Sequence, residues 1–582
     1  MIDCMKHERF YVSGKYCVPE MGIYAGWQAL NGAFSSGQPF TNEQKDIVLL
    51  FSGECLQDFG LETRPETGDS RQQALGNYLV GLYEKEGDQF FQRLNGLFSG
   101  LLIDKRQRRA FLFNDRYGIE RIYLSESREG IFFASEAKAL LRVLPELRRF
   151  DETGIAQLLT FGCTMDWQTL FRGVELLPGG SLCVVEGNNI TKKRYFDPGV
   201  WESRPALSED EFESQFKETF KRILPRYFEP SSPIGVSLTG GFDTRMVTAC
   251  LPAACAKPTS YTFTGPKPTI LDSSLAARIA HACGMEHRNL QIGPEFFANF
   301  AALADKTVYV TDGCFGVTGA HEIYFNGKAR QLAPTRLTGN FGSEILRGMS
   351  TFKPIGLSRE LFNKEINQMI DSYATGLKEA EGHPISFAAF REIPWNLFGS
   401  LAAGRSQVTF RTPYLDNELV ALAFQVPESL RKSSLVALNL VKENNPILGA
   451  IPTDRGRGGS GTGPAYLLRR LFCDVTFKLD YIYSESLPNL LAPFDALIGS
   501  LDTVGIMGLH KFLRYRRWFR TELKTYLKEA LANAQARQMP YWNTNFLERV
   551  AAEHISGRRN FVREINAVLT LDAIDRLLLR AS

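Results

Sequence analysis

No apolar run in this chain approaches the ~18 residues that a membrane-spanning helix requires. Phe296–Ala304 is among the longest candidates and falls well short, so no membrane partner is expected. Charge of one sign is also scarce. The 67 Lys and Arg nearly balance the 64 Asp and Glu, for a net charge of +3. That lacks the basic surplus of a nucleic-acid binder, and no nucleic acid is expected as the main partner. Histidine is sparse, at 7 residues, and the 10 cysteines form no CxxC pair. Cys250 and Cys255 stand near each other with no histidine cluster beside them, so a zinc-type site is not indicated and free thiols in a reducing compartment are expected. The first residues, MIDCMKHERF, hold no apolar core ahead of a small-residue cleavage site, so a cytoplasmic location is the default expectation.

What is present is the balance of a globular protein, 44% hydrophobic and 23% charged over 582 residues. That length allows two large domains or several smaller ones. The first two hundred residues carry short apolar runs separated by Gly, Asn and Asp. Asp46–Phe51, Leu101–Asp104, Ala110–Phe113 and Gly130–Ala134 are strand candidates. Asp197–Asp210, with Pro198 and Pro205, reads as a linker. Ser208 then precedes Glu211 at capping-box spacing, and Phe212, Phe216 and Phe220 share one helical face. Beyond them Pro233–Leu238, Thr259–Thr264 and Arg288–Ile292 read as strands. They alternate with helices over Arg245–Leu251 and Asp272–Cys283, which implies a parallel sheet. From about Arg359 onward the pattern is mostly helical.

The chemistry concentrates in Ser237-Leu238-Thr239-Gly240-Gly241-Phe242-Asp243-Thr244-Arg245, where a strand ends and a helix begins. Gly240 and Gly241 let backbone N–H groups approach an anion at the helix N-terminus. The Thr239 and Thr244 hydroxyls can donate to phosphate oxygens. Asp243 would repel phosphate directly but can hold a Mg²⁺ that binds it. A bare Thr-Gly-Gly turn with a hydroxyl cap is the plain alternative. The full string closely resembles the SGGxDS loop of ATP pyrophosphatases, which cleave ATP between its α and β phosphates.

Further ordered segments resemble the asparagine synthetase family. Leu94–Gly100 resembles LNGMFAF, Asn114–Ile119 resembles RDRFGIKPLY, and Phe133–Leu140 resembles FASEIKAL. Phe171–Val174 with Leu177–Gly180 resembles IFxGIxxLPPG. Thr338–Glu344 resembles SGEGSDE, Arg411–Asp416 resembles RVPFLD, and Glu553–Asn560 resembles EHxxGRRD. The resemblance implies an α/β protein with an α+β N-terminal domain. A glutaminase-like αββα sandwich over 1–200 would precede an α/β ATP-pyrophosphatase (adenine nucleotide α-hydrolase-like) synthetase domain over 209–582, helical in its C-terminal part. It further implies an AMP-forming ligase with ATP and Mg²⁺ as cofactors and a small-molecule or peptide carboxylate as substrate. The oligomeric state is open, a homodimer being one option.

By the same resemblance, Leu238 and Phe263 align with residues lining adenine, and Thr338 and Gly339 with a nucleotide-contacting pair. Asp243 aligns with one Mg²⁺ ligand, while the second falls on Ser343 and an acidic position falls on Asn340. Glu344 remains as a metal ligand or base, or as a first-turn carboxylate offsetting the helix dipole. Arg457 takes the place of a lysine that steadies leaving pyrophosphate, and Gly456–Gly463 is either a disordered loop or one that closes over ATP. The glutaminase positions depart further. Residue 2 is Ile, the nearest cysteine is Cys4, the amide-anchoring Asn is Ser52, and the amine-anchoring Asp is Leu75. Glutamine hydrolysis is therefore expected to be lost. Loss of this kind is seen in β-lactam synthetases and lasso-peptide cyclases, which use an amine on the substrate itself. Asparagine formation from aspartate, with ammonia or glutamine, and a nucleotide-binding or structural paralogue without turnover are the rival readings.

Two smaller signals complete the sequence. Lys511, Arg514, Arg516, Arg517 and Arg520 surround Trp518 and read as a solvated helix face. Asp312 and Glu322 lie upstream of the Thr338–Glu344 segment as weak candidates for an acceptor pocket.

Overall fold

The structure is a computed structural model of chain 1–582. It describes residues 1–56, 68–228, 233–251, 257–266, 271–376, 382–458, 463–485 and 509–580. Cys255 and residues 459–462 of the glycine-rich stretch lie outside the described residues.

The strand periodicity of the first two hundred residues builds two stacked sheets. A six-stranded antiparallel sheet carries Ile47–Cys55, Gly96–Asp104 and Arg109–Asn114 at its centre. Side chains alternate across it, as the pleat dictates. Val48, Leu50, Leu101, Ile103, Ala110 and Leu112 face a second layer that supplies Ile122 and Leu124. Leu49, Phe51, Phe98, Leu102, Phe111 and Phe113 face the opposite way. There they meet Leu79, Val80 and Tyr83 of the helix Gly68–Glu86. The helix Ala137–Val143 covers the far side of the second layer. The layers therefore run helix, sheet, sheet, helix, which is the αββα arrangement. The Asp197–Asp210 segment is not wholly irregular, since Gly199–Glu202 forms one helical turn with Trp201 buried.

The helix Glu209–Ile223 opens with the capping box of Ser208 and Glu211 and buries Phe212, Phe216 and Phe220 along one face. It packs on a five-stranded, wholly parallel sheet. The order across that sheet is His287–Gln291, Thr259–Thr264, Ile234–Ser237, Thr335–Thr338, Thr409–Arg411. From Ile234–Ser237 the chain winds outward in one direction for two strands, then returns to the other side of the same strand. Ile234–Ser237 and Thr335–Thr338 thus flank the switch point, where loops at the carboxyl ends of the strands diverge and leave a crevice. Among the described residues no helix is long and apolar enough to cross a membrane.

The basic cluster near Trp518 is not a solvated face. Trp518 and Arg516 are buried, the tryptophan lies edge-on to Phe297 at 5.3 Å between centroids, and the Arg516 guanidinium lies 4.4 Å over Tyr483. Apolar neighbours override the local charge pattern here. Phe220 is fully buried and stacked on Phe216 at 5.8 Å. Its truncation to Ala is expected to destabilise the fold by about 3–5 kcal/mol, read as a lowered denaturant midpoint.

Candidate active site

The two loops at the switch point press against each other. The first, Thr239–Gly241, leads into the helix Phe242–Ala249. The second, Gly339–Phe341, leads into the helix Gly342–Arg347. A Cβ on Gly339 would stand 2.5 Å from the Thr244 nitrogen, and one on Gly342 would stand 2.6 Å from Asp243 Cγ. Only glycine fits at either position, for reasons of space rather than of backbone conformation. Phe341, between them, has φ 73°, a left-handed conformation that costs a residue with a Cβ roughly 1–2 kcal/mol.

Within the first loop the Thr239 N–H donates to Thr244 Oγ1 at 3.3 Å, and the two hydroxyls lie 3.2 Å apart. The Gly240 N–H donates to the Asp272 carboxylate. Burial pushes the Asp272 carboxyl up to about 7 against the lowering effect of that hydrogen bond. Arg245, fully buried, staples the loop from behind. Its guanidinium donates to the carbonyls of Gly240 at 2.9 Å and Pro452 at 3.2 Å, and to that of Ile451. The Tyr414 hydroxyl donates to the Asp243 carbonyl at 2.6 Å. From the sequence, Asp272 is expected to cap its own helix; it lies instead in the first turn of Leu271–Ala282 with its carboxylate on the glycine loop, while Arg245 and Tyr414 are given no role there.

Asp243 and Glu344 meet in this crevice. The Asp243 carboxylate accepts from Ser343 Oγ at 3.0 Å and from Arg347 Nη2 at 3.2 and 3.3 Å. Burial raises its proton affinity and Arg347 opposes that rise. Burial pushes Glu344 up to about 7, aided by the negative charges of Asp243 and Glu392. These residues do not fit a magnesium site, because both Asp243 oxygens are held by the chain's own donors. Among the described residues no group of three or more His, Cys, Asp or Glu is arranged to hold a metal.

The other expected positions divide. Thr338 is buried and donates its hydroxyl to Asn340 Oδ1 at 2.8 Å. Leu238 is buried in the core, with its N–H given to Tyr261 and its carbonyl taken by Thr262. The Phe263 ring stacks on Phe325 at 4.5 Å and lies 4.7 Å from the Arg336 guanidinium. Arg457 closes a turn through its backbone, with its N–H on Thr453 Oγ1 at 3.0 Å, and among the described residues its buried Nε has no partner. Asp312 instead caps the helix Ala137–Val143 through the N–H groups of Ala137 and Lys138, and pairs with Lys138 Nζ at 3.0 Å. Glu322 accepts from Asn326 at 3.0 Å.

A cavity of about 200 Å³ lies between the two halves, lined among others by Ser52, Glu54, Arg121, Arg405 and Thr412. It adjoins the second loop, because the Thr412 hydroxyl donates to the Asn340 carbonyl at 2.8 Å.

Comparison with known proteins locates both halves. The description "Glutamine amidotransferase domain" matches residues 29–196, and "Asparagine synthase" matches residues 215–400. The chain belongs to the asparagine synthetase family. Similar relatives include asparagine synthetase [glutamine-hydrolyzing] 1 of Bacillus subtilis (strain 168), 22% identical over 56% of this chain and 51% of that protein. Asparagine synthetase [glutamine-hydrolyzing] 2 of the same organism is 22% identical over 68% and 60%. The chain thus matches little more than half the length of these relatives. Among solved structures, NMN synthetase from Francisella tularensis overlaps at a TM-score of 0.18 and 13% identity, over 41% of this chain and 94% of that one. That score carries no argument.

At the N-terminal positions, Cys4 and Glu54 have partners within the chain. Cys4 lies in the turn Ile2–Met5, where its thiol donates to the Met1 carbonyl at 2.9 Å and burial raises its pKa. Glu54, two residues past Ser52, is held by Arg411 at 2.7 and 2.8 Å.

Asp272 gives a pH test. Its folded pKa of about 7 lies above the ordinary carboxylate value. The folded state therefore keeps a proton that the unfolded chain loses from about pH 4 upward. This contribution is complete below about pH 4 and is lost as pH rises towards 7. Asp272→Asn should flatten the fall in melting temperature across that window.

Proposed function

We propose that this chain is an ATP-dependent, AMP-forming amide ligase whose glutaminase half is silent. The observation that carries the reading is the packing of the Thr239–Thr244 loop against Gly339 and Gly342 at the sheet's switch point. That packing brings the Gly240–Gly241 turn beside a carboxylate of raised proton affinity, which supports its reading as an anion cradle. The substrate carboxylate attacks the α-phosphorus of ATP, the bond between α and β phosphates breaks, and pyrophosphate leaves. An amine or ammonia then attacks the acyl-adenylate carbonyl, AMP departs, and the amine gives up a proton.

The chain's contribution is positioning and charge. Thr239, Gly240, Gly241 and Thr244 cradle the phosphates. Gly240 must exchange its Asp272 acceptor for a phosphate oxygen, which protonation of Asp272 eases. Arg457, with an unpartnered Nε, meets the departing pyrophosphate. Glu344, poised at about 7, takes the amine proton, since a base near the working pH transfers protons best. The nitrogen comes from ammonia or from an amine on the substrate. Support for a silent glutaminase is the set Ile2, Cys4, Ser52 and Leu75, together with Glu54 bound to Arg411.

ATP with magnesium in solution should raise the melting temperature of the full chain. A ligand at about a hundred times its dissociation constant stabilises by roughly 2.7 kcal/mol. A carboxylate screen read by pyrophosphate release then identifies the substrate. Glu344→Gln should lower turnover by about 10²–10⁴-fold and remove the rise in rate as pH increases through about 7. No ATP-dependent stabilisation and no pyrophosphate release would overturn the reading. Glutamine should add nothing to activity seen with ammonia.

A further inference from the structure

The second switch-point helix presents Ser343 and Arg347 four residues apart, hence on one face, and that face meets Asp243. Ser343 Oγ donates to Asp243 Oδ2 at 3.0 Å, Arg347 Nη2 donates to both carboxylate oxygens, and Nη2 also donates to Ser343 Oγ. Gly342 permits this closeness, because any Cβ there would fall against the Asp243 carboxyl. The second carboxylate expected at this spot is absent, Ser343 standing in its place. A divalent ion would have to strip Asp243 of its donors. It would also leave the Arg347 guanidinium, only 10% exposed, without its counter-charge, and breaking such a pair is costly.

A guanidinium has five N–H bonds in a planar fork suited to phosphate oxygens. Among the described residues every side-chain hydrogen bond of Arg347 is made by Nη2. The Nε and Nη1 N–H bonds are left for a ligand, beside the N–H groups and hydroxyls of the Thr239–Thr244 loop. The Asp243–Arg347 pair is neutral overall, so an anion arriving at this loop meets no net repulsion from Asp243.

We propose that Arg347 is the resident cation of the phosphate site, taking the place of a protein-held divalent ion, so that the chain binds pyrophosphate groups without metal. This rests on the reading of the Thr239–Thr244 loop as an ATP site. Arg347 would act as a positioning and charge-neutralising residue that touches phosphate.

The test is calorimetric binding of inorganic pyrophosphate and of ATP to the full chain, in EDTA and in excess Mg²⁺. Wild type should bind pyrophosphate in EDTA about as tightly as with Mg²⁺. Arg347→Gln should weaken binding in EDTA by about tenfold or more, the scale of a lost charged hydrogen bond, and Arg347→Lys should restore part of it. A Ser343→Asp/Arg347→Gly double variant, with a second carboxylate and no guanidinium, should bind only when Mg²⁺ is present. That inversion of metal dependence is a readout that lost folding would not produce. The inference is overturned if wild type binds ATP only with Mg²⁺, an outcome that leaves the ATP-site reading standing. It is also overturned if Arg347→Gln binds pyrophosphate in EDTA as tightly as wild type. Failure of wild type to bind either compound under both conditions sinks the ATP-site reading and this inference together.

Discussion

The contact between Gly339 and the backbone at Thr244 is the constraint on which the site depends. Two loops leave neighbouring parallel strands, Ile234–Ser237 and Thr335–Thr338, and would ordinarily diverge at the switch point. Here they converge until no Cβ fits at Gly339 or Gly342. Convergence brings Asp243 of one helix within reach of Ser343 and Arg347 of the other. It also fixes the strained φ of Phe341, whose side chain is buried in the core below. Core burial of a phenylalanine, worth roughly 1.5–3 kcal/mol, is enough to offset a left-handed backbone costing 1–2. The loop geometry is thus held by packing beneath it.

Charge is managed inside the fold rather than left to solvent. Among the described residues Arg245 has no carboxylate acceptor; it spends its donors on the carbonyls of Gly240, Leu448, Ile451 and Pro452. Burial lowers its pKa to about 10, still far enough above neutrality to keep it charged. The result is a fixed cation directly behind the glycine loop, which favours anions in front of it even before a ligand's own counterions are considered. Asp272 sits on the Gly240 N–H and is held near neutrality, so the loop's first donor is capped without adding a full negative charge.

Much of this was legible in the sequence because it rests on local periodicity and on space. The phenylalanines at 212, 216 and 220 announce a buried face, and the strand Gly130–Ala134 falls where alternation and turn residues place it. The glycine loop is readable because its chemistry needs glycines at fixed spacing. What was not legible depends on contacts between distant segments. The Arg245 carbonyl partners at 448–452 are some two hundred residues away, and nothing near Arg245 signals them. Arg347 lies three residues beyond the segment that resembles SGEGSDE, so a motif ending at Glu344 misses the cation that answers its missing carboxylate. Trp518 and Arg516 show the converse, a local charge pattern overruled by aromatic neighbours from Phe296 and Phe297.

The N-terminal half is tied to the crevice by the very segments that carry its resemblance to a glutaminase. Asn95 donates to Asp416 at 2.9 Å and accepts from the Asn417 N–H at 2.8 Å. Asp416, fully buried, also takes hydrogen bonds from Arg226 and Tyr227, and caps the next helix through the Glu418 N–H. Glu54 binds Arg411, the last residue of the edge strand Thr409–Arg411 of the parallel sheet. Removing the N-terminal half would strip Arg411 of its Glu54 counter-charge and Asp416 of Asn95. Thr412, between them in sequence, is the residue that holds the Asn340 carbonyl. This half therefore has a structural part in the crevice: its polar residues fix the strand end that positions the second loop.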